Sequence, residues 1–146
     1  MRTNALKAKL REGRRVVGVL VTIQNAELVE LFGHLGYDFV FLDAQHGGLT
    51  VETARELIRA AELTGMTALV RVPRNDPSVI LEYLDVGAPG IIVPNITNKA
   101  AAEAAVSAIK YPPRGAVRKA LPQLRLRGVG AHVALLAPLD KPFDRS

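Results

Sequence analysis

The sequence predicts an α/β fold with a parallel sheet, and three observations support this class. Short apolar segments alternate with segments of helical spacing along residues 16–109. A residue that favours the N-cap position precedes each of the helical segments. The apolar segments lack the polar alternation of a half-exposed strand, so both faces of the sheet are expected to be covered, as is typical of parallel sheets.

Four βα units are predicted, and they follow one another at intervals of roughly 25 residues. The predicted strands are residues 16–21, 39–42, 68–70 and 91–93. The predicted N-caps of the four helices are Asn25, Thr50, Asp76 and Asn98. Pro77 suits the first turn of the third helix, and Gly65 and Gly87 are suitable residues to follow the second and third.

Each predicted helix carries apolar residues three and four positions apart, which marks the face expected to be buried. In the first helix these residues are Leu28, Leu31, Phe32 and Leu35. In the second helix they are Ala54, Leu57, Ile58, Ala61 and Leu63. In the third and fourth they are Val79, Ile80, Tyr83, Leu84, Ala101, Ala104, Ala105 and Ile109.

Two architectures accommodate consecutive βα units, namely an open doubly wound sheet and a (β/α)₈ barrel. The segment Val21–Asn25 lacks the Gly-rich turn that a dinucleotide-binding sheet places after its first strand, which argues against the Rossmann arrangement. A complete barrel typically takes about 250 residues. Because this chain has 146 residues, we predict an incomplete (β/α)₈ TIM barrel of about four units.

Composition excludes several functional classes. The chain is 49% hydrophobic and 23% charged, which is typical of a folded domain. It contains no Cys, which excludes disulfides, thiolate metal sites and thiol nucleophiles. No apolar run is long enough to cross a bilayer, and no signal-peptide stretch follows the basic start at Met1–Lys9. We therefore expect a cytoplasmic protein with no membrane partner.

The net charge of +5 is confined to the end of the chain. Residues 1–110 carry 12 Lys/Arg and 12 Asp/Glu, whereas residues 111–146 carry seven against two, together with five of the nine Pro. We predict that residues 1–115 form half of a barrel and that residues 116–146 are a divergent, poorly ordered tail. Nucleic-acid binding through this basic tail is the minor alternative.

Polar side chains follow three of the predicted strands. Asp43 and His46 come after the second strand, Arg71 directly follows the third, and Asn95 follows the fourth. The carboxyl ends of parallel strands meet at one rim, where the sites of such folds form. A carboxylate near an imidazole fixes its tautomer and raises its basicity, and a guanidinium binds carboxylate or enolate oxygens. This combination suits proton abstraction beside a carbonyl, or the reverse step.

Five segments in order resemble the HpcH/HpaI aldolases, which are metal-dependent class II pyruvate aldolases. The segments are Tyr37–Gly47, Leu69–Pro77, Leu84–Ala88, Ile92–Pro94 and Tyr111–Gly115. The resemblance covers residues 4–115, the first half of the family's barrel. It implies a carbon–carbon lyase that cleaves 4-hydroxy-2-oxo acids to pyruvate and an aldehyde. We further expect the chain to form a homo-oligomer.

The resemblance also implies roles for individual residues. His46 would be the base that deprotonates the aldol hydroxyl, directly or through a metal-bound water, and Asp43 would pair with it. Arg71 would contact pyruvate and stabilise the enolate, while Asp85 would support these residues without contacting the substrate. Gln45 would bind substrate together with Arg71. It stands at a position where the family usually has Glu.

The metal site of the family is the main departure. Family members bind Mg²⁺ or Mn²⁺ through a Glu and an Asp on later strands, and neither motif follows Gly115 here. No metal ligand is therefore assigned in this chain, which we expect to be truncated. The alternative function is a catalytically silent half-barrel that self-associates or needs a partner, because four strands leave an open edge. His34 and His132 are assigned structural roles.

Overall fold

A computed structural model describes residues 4–110 and 132–135 of the chain. The helices are α1 (Ala5–Arg11), α2 (Ala26–His34), α3 (Val51–Leu63), α4 (Pro77–Asp85) and α5 (Lys99–Ile109). The strands are β1 (Gly18–Val21), β2 (Phe39–Asp43), β3 (Thr67–Arg71), β4 (Gly90–Val93) and β5 (His132–Leu135). None of these five helices is long and apolar enough to cross a membrane.

The five strands form one parallel sheet in the order β1-β2-β3-β4-β5. Each new strand is added beside the previous one, with a helix in every connection from β1 to β4. A doubly wound sheet reverses its strand order at a switch point, whereas a (β/α)₈ barrel does not. The prediction of an incomplete barrel is therefore confirmed.

A fifth strand extends the sheet beyond the four predicted units. β5 pairs in parallel with β4, with Gly90 opposite His132 and Val93 opposite Leu135. This segment lies within the predicted divergent tail, where its short apolar run stands among basic residues and prolines. The remainder of the predicted tail, residues 116–131 and 136–146, and the Tyr111–Gly115 segment lie outside the described residues.

All four predicted N-caps are confirmed, since each side chain accepts a hydrogen bond from a backbone N–H of the first helical turn. Asn25 accepts from Leu28 at 2.7 Å and Thr50 accepts from Thr53 at 3.2 Å. Asp76 caps α4 through two amides, and Asn98 caps α5. These local contacts fix where each helix leaves the rim of the sheet.

The core lies between one face of the sheet and the helices that cover it. Val40 and Leu42 of β2 and Val70 of β3 are fully buried on this face. They belong to one cluster with the inward residues of α3, which are Ala54, Leu57, Ile58 and Ala61. Alternate residues of the same strands point to the opposite face of the sheet, where the polar site is built.

Four residues that were expected to face inward are exposed. The exposed fractions are 52% for Leu31, 65% for Leu35 and 79% for Leu63, and Ala104 is also exposed. Val29 is the buried residue of α2. The helical spacing predicted an apolar face, but α2 packs on α3 along one side, and nothing described covers its other side. Leu63 lies in the last turn of α3, beyond the core.

Two glycines on the face opposite the helices accommodate large neighbours. Gly18 stands opposite Phe39, and Gly90 stands opposite Leu69, in adjacent strands. A Cβ at Gly18 would lie 2.2 Å from the Phe39 ring, and one at Gly90 would lie 2.4 Å from a Leu69 methyl. The ring and the methyl therefore occupy the space that any larger residue would need.

Candidate active site

An ion pair joins the last residues of β2 and β3. Asp43 and Arg71 are direct neighbours in the register of the sheet, so their side chains emerge side by side on the same face. Arg71 Nε donates to Asp43 Oδ1 at 2.9 Å, and Arg71 Nη2 donates to Asp43 Oδ2. A two-pronged contact of this kind fixes the plane of the guanidinium as well as its position.

Asp43 is buried, with 4% of its side chain exposed. Its Oδ1 also accepts hydrogen bonds from the backbone N–H groups of Gln45 at 3.0 Å and His46 at 3.2 Å. The Arg71 hydrogen bond, helped by these amides, holds the pKa of Asp43 below its usual value despite burial. The same hydrogen bond raises the pKa of Arg71, so the rim holds a permanent ion pair at neutral pH.

His46 contacts the guanidinium more closely than the carboxylate. Its Nδ1 lies 2.8 Å from Arg71 Nη2 and 3.7 Å from Asp43 Oδ2. A guanidinium has only donors, so Nδ1 must be the acceptor, and the neutral ring then carries its proton on Nε2. The side chain is 67% exposed, which leaves Nε2 accessible to a ligand at the rim.

The loop that carries His46 requires glycine directly after the imidazole. The Gly47 N–H donates to the Asp43 carbonyl at 3.2 Å, and a Cβ at Gly47 would lie 2.5 Å from that carbonyl oxygen. This tight turn brings His46 back above the end of β2. Asp43 therefore holds the loop through both its side chain and its backbone.

Two side chains from other elements hold the next three carbonyls of this loop. Gln24 Nε2 donates to the Gly48 carbonyl at 3.0 Å and to the Gly47 carbonyl at 3.4 Å. The buried Tyr83 hydroxyl donates to the Leu49 carbonyl at 3.1 Å. Helical spacing marks Tyr83 only as an apolar residue of α4, and Gln24 has no role predicted from the sequence. Neither contact has a local sequence signal, because each spans more than 20 residues.

Phe41 lies under the guanidinium. The Arg71 Cζ atom is 5.4 Å from the centre of the Phe41 ring, within the range of a cation–π interaction. Phe41 was predicted only as part of a buried strand. Its position two residues before Asp43 places both side chains on one face of β2, which is the signal that identifies it.

The structure brings Asp43, His46 and Arg71 together, but it does not bring Asp85 to them. α4 starts after the carboxyl end of β3 and ends before β4, so its last residue, Asp85, lies at the opposite end of the sheet. Its side chain is exposed. Gln45 is half-buried and contributes its backbone N–H to the site. The roles assigned to Asp85 and to the Gln45 side chain stay predictions.

The described residues do not fit the divalent metal that the resemblance implies. Within residues 4–110 and 132–135, no group of three or more His, Asp or Glu is arranged to hold a metal ion. Both carboxylate oxygens of Asp43 already contact Arg71. These described residues are therefore assigned no role as metal ligands, and the chemistry proposed below uses protein side chains alone.

The strand order and the charged rim together define a half-barrel of the (β/α)₈ class. The sequence of residues 17–137 matches the family model described as HpcH/HpaI aldolase/citrate lyase. The match covers most of the chain, which therefore belongs to the HpcH/HpaI aldolase/citrate lyase family. The resemblance noted from five short segments is confirmed, and the matched region extends through β5.

Named relatives and solved structures agree with this assignment. A hydroxypyruvate/pyruvate aldolase of Sagittula stellata is 36% identical over 112 residues, which are 77% of this chain and 44% of that protein. A 4-hydroxy-2-oxo-heptane-1,7-dioate aldolase of Salmonella dublin is 33% identical over 90% of this chain and 46% of its own length. An HpcH/HpaI aldolase/citrate lyase family protein from Burkholderia cenocepacia superposes with a TM-score of 0.75 at 27% identity, over 81% of this chain and 49% of that one. The chain thus spans less than half the length of these relatives.

Proposed function

We propose that this chain supplies the pyruvate-binding part of an aldolase site. The reaction is the reversible cleavage of 4-hydroxy-2-oxo acids to pyruvate and an aldehyde. The observation that carries the proposal is the convergence of His46, Asp43 and Arg71 at neighbouring strand ends. The family and the names of its aldolase relatives support the choice of a 2-oxo acid as ligand.

Arg71 is the residue that binds the oxo acid. Its Nε and Nη2 are used by Asp43 and His46, whereas Nη1 has no partner among the described residues. Nη1 can therefore donate to the carboxylate or to the enolate oxygen of a ligand at the rim. The negative charge of the enolate grows as the carbon–carbon bond breaks, so a fixed cation lowers the barrier to this step.

His46 is the residue that moves the proton. In cleavage, the hydroxyl of the 4-hydroxy-2-oxo acid loses its proton to the imidazole as the bond between C3 and C4 breaks, and the electrons pass into the enolate of pyruvate. In the reverse direction, Nε2–H donates to the aldehyde oxygen. Asp43 keeps Arg71 oriented throughout, because the carboxylate is buried and charged.

The first test follows the enolate step alone. We expect the purified chain, at high concentration and with or without Mn²⁺, to exchange the methyl protons of sodium pyruvate with D₂O, as measured by proton NMR. Arg71→Lys loses the forked contact to Asp43, and His46→Asn loses the proton carrier. Each should slow exchange at least about tenfold, the effect expected of one charged contact or one acid–base group.

Arg74→Lys is the matched control, because Arg74 is an exposed arginine in the segment between β3 and α4, three residues after Arg71. This variant should exchange pyruvate protons at the wild-type rate. Absence of exchange by the wild-type chain under both conditions would contradict the proposed function. Release of pyruvate from a 4-hydroxy-2-oxo acid then tests the complete reaction.

A second candidate function is a catalytically silent half-barrel that self-associates. It is favoured by apolar side chains that remain exposed on β1 and α2, among them Leu20 at 56% and Ile23 just after β1 at 64%. A chain that associates but does not exchange pyruvate protons would support this candidate. Association together with exchange would instead support a homo-oligomeric lyase.

A further inference from the structure

We propose that Arg71 controls the tautomer of His46, and that an anionic ligand bound to Arg71 switches it. In the free protein the guanidinium holds the imidazole in the Nε2–H form, which donates a hydrogen bond but cannot accept a proton at Nε2. Binding of a carboxylate releases the ring to the Nδ1–H form, whose Nε2 is a base. The identification of the ligand as a 2-oxo acid rests on the proposed function, whereas control of the tautomer by Arg71 does not.

Two groups compete for Nδ1 of His46. Arg71 Nη2 lies 2.8 Å away and can only donate. Asp43 Oδ2 lies 3.7 Å away, and a charged carboxylate has acceptors but no donor. The first contact is within hydrogen-bond distance and the second is not. The Nη2 group has two hydrogens, so Arg71 can serve His46 and Asp43 at once.

The alternative arrangement is close in space. A ligand carboxylate that draws the guanidinium away from the imidazole leaves Nδ1 without a donor. A ring movement of roughly 1 Å then brings Nδ1 within hydrogen-bond distance of Asp43 Oδ2. The neutral ring releases its Nε2 proton to water and takes one from water at Nδ1, so its charge does not change.

The surroundings of Arg71 favour a limited shift of this kind. Its side chain is 21% exposed, so a ligand can reach it from the rim. The Arg71 Cζ atom lies over the Phe41 ring, 5.4 Å from its centre, and this attraction does not depend on a hydrogen bond. The cation can therefore slide over the ring towards a ligand while its other donors stay near Asp43.

The test measures the tautomer directly by nitrogen NMR of the chain labelled with ¹⁵N-histidine. Spectra are recorded at about pH 8.5, well above the ordinary pKa of imidazole, so that neutral rings dominate. A His46→Asn variant identifies the His46 signals among those of the three histidines. We expect Nε2–H in the free chain, and at least a tenfold rise in the ratio of Nδ1–H to Nε2–H at saturating sodium pyruvate.

Arg71→Met removes the donor and keeps an unbranched side chain, so it should show the same rise without pyruvate. Arg74→Met is the matched control and should keep the wild-type ratio. A folded Arg71→Met chain with an unchanged ratio would overturn the proposal, as would a free wild-type chain already in the Nδ1–H form. If Arg71→Met does not fold, the wild-type ratio is the deciding measurement. It must change at pyruvate concentrations that saturate the shift of the Arg71 Nε signal, which is recorded on a second sample labelled with ¹⁵N-arginine.

The same spectra separate this inference from the proposed function. If pyruvate moves no signal of the rim while Arg71→Met raises the Nδ1–H fraction, then Arg71 controls the tautomer and pyruvate is the wrong ligand. If pyruvate protons exchange while the tautomer ratio stays fixed in every folded variant, the switch is refuted, and the binding of a 2-oxo acid at the rim stands with a base other than Nε2 of His46.

Discussion

At the scale of single residues, Asp43 is the group on which the site depends. Its carboxylate accepts two hydrogen bonds from Arg71 and two from backbone amides of the loop that follows β2. Burial alone would favour the neutral acid, but these four donors favour the carboxylate. One side chain thus orients the cation and closes the turn that carries His46.

The lowered pKa of Asp43 predicts a dependence of stability on pH. Because the pKa is lower in the folded chain, Asp43 contributes stability at pH values above the ordinary Asp pKa of about 3.9, and this contribution is lost as pH falls further. Urea denaturation at a series of pH values should show a smaller acid loss of unfolding free energy in Asp43→Asn than in the wild type.

Asp85→Asn is the matched control for this measurement, because Asp85 is an exposed carboxylate away from the rim. It should retain the wild-type pH dependence. Equal slopes for the wild type and Asp43→Asn would show that the ion pair contributes nothing to acid sensitivity.

The convergence of His46, Asp43 and Arg71 could be predicted from sequence, because parallel strands deliver their carboxyl ends to one rim. The contact between Arg71 and His46 Nδ1 could not be predicted. It depends on how the imidazole is turned, and the expected pairing of Asp43 with His46 did not include Arg71 as a competing donor to Nδ1. The position of Asp85 could not be predicted either, since a segment that matches the family does not reveal at which end of the sheet its residues lie.

At the scale of elements, the loop between β2 and α3 is held by its neighbours. Gln24 reaches it from the segment after β1, and Tyr83 reaches it from α4. Burial raises the pKa of Tyr83, which keeps its hydroxyl protonated as a donor. The loop that positions His46 is therefore fixed by elements on both sides of it.

Tyr83→Phe should lower the free energy of unfolding by about 1–2 kcal/mol, because the Leu49 carbonyl loses its donor. Amide exchange in residues 47–50 should also become faster. Tyr37→Phe is the matched control, since Tyr37 precedes β2 and lies at the other end of the sheet. A Tyr83→Phe chain as stable as this control would show that the hydroxyl contact does not hold the loop.

The helix starts could be predicted because capping is local: Asn25 and Thr50 contact amides three residues away. The exposure of Leu31 and Leu35 could not, since spacing marks an apolar face without telling whether another element covers it. β5 was missed for a related reason. Its pairing with β4 depends on a neighbour that is distant in sequence.

At the scale of the whole molecule, the outer side of α2 and the edge strand β1 present apolar surface. Leu31 and Leu35 of α2 are more than half exposed, and Leu20 of β1 is exposed on the opposite face of the sheet. Leu31 also lines a shallow groove with Ile23, Leu28 and two polar residues of the same segment. Contiguous apolar surface of this kind marks an interface more often than it marks a free surface.

We predict that the apparent mass of the chain rises with concentration in sedimentation experiments. The double variant Leu31→Lys and Leu35→Lys should shift association to at least about tenfold higher concentration, because charge at an apolar contact opposes burial. Leu63→Lys is the matched control, since Leu63 is 79% exposed at the end of α3. If the double variant associates like this control, α2 is not part of the interface.

The glycines opposite Phe39 and Leu69 also affect how the chain folds. If β1 slipped by one residue against β2, a valine would stand opposite Phe39 in place of Gly18, and its side chain would meet the ring. The same slip between β3 and β4 would remove Gly90 from its place beside Leu69. Glycine at these two positions therefore selects one alignment of β1 with β2 and one of β3 with β4, the two strand pairs on either side of the β2–β3 pair that carries Asp43 and Arg71.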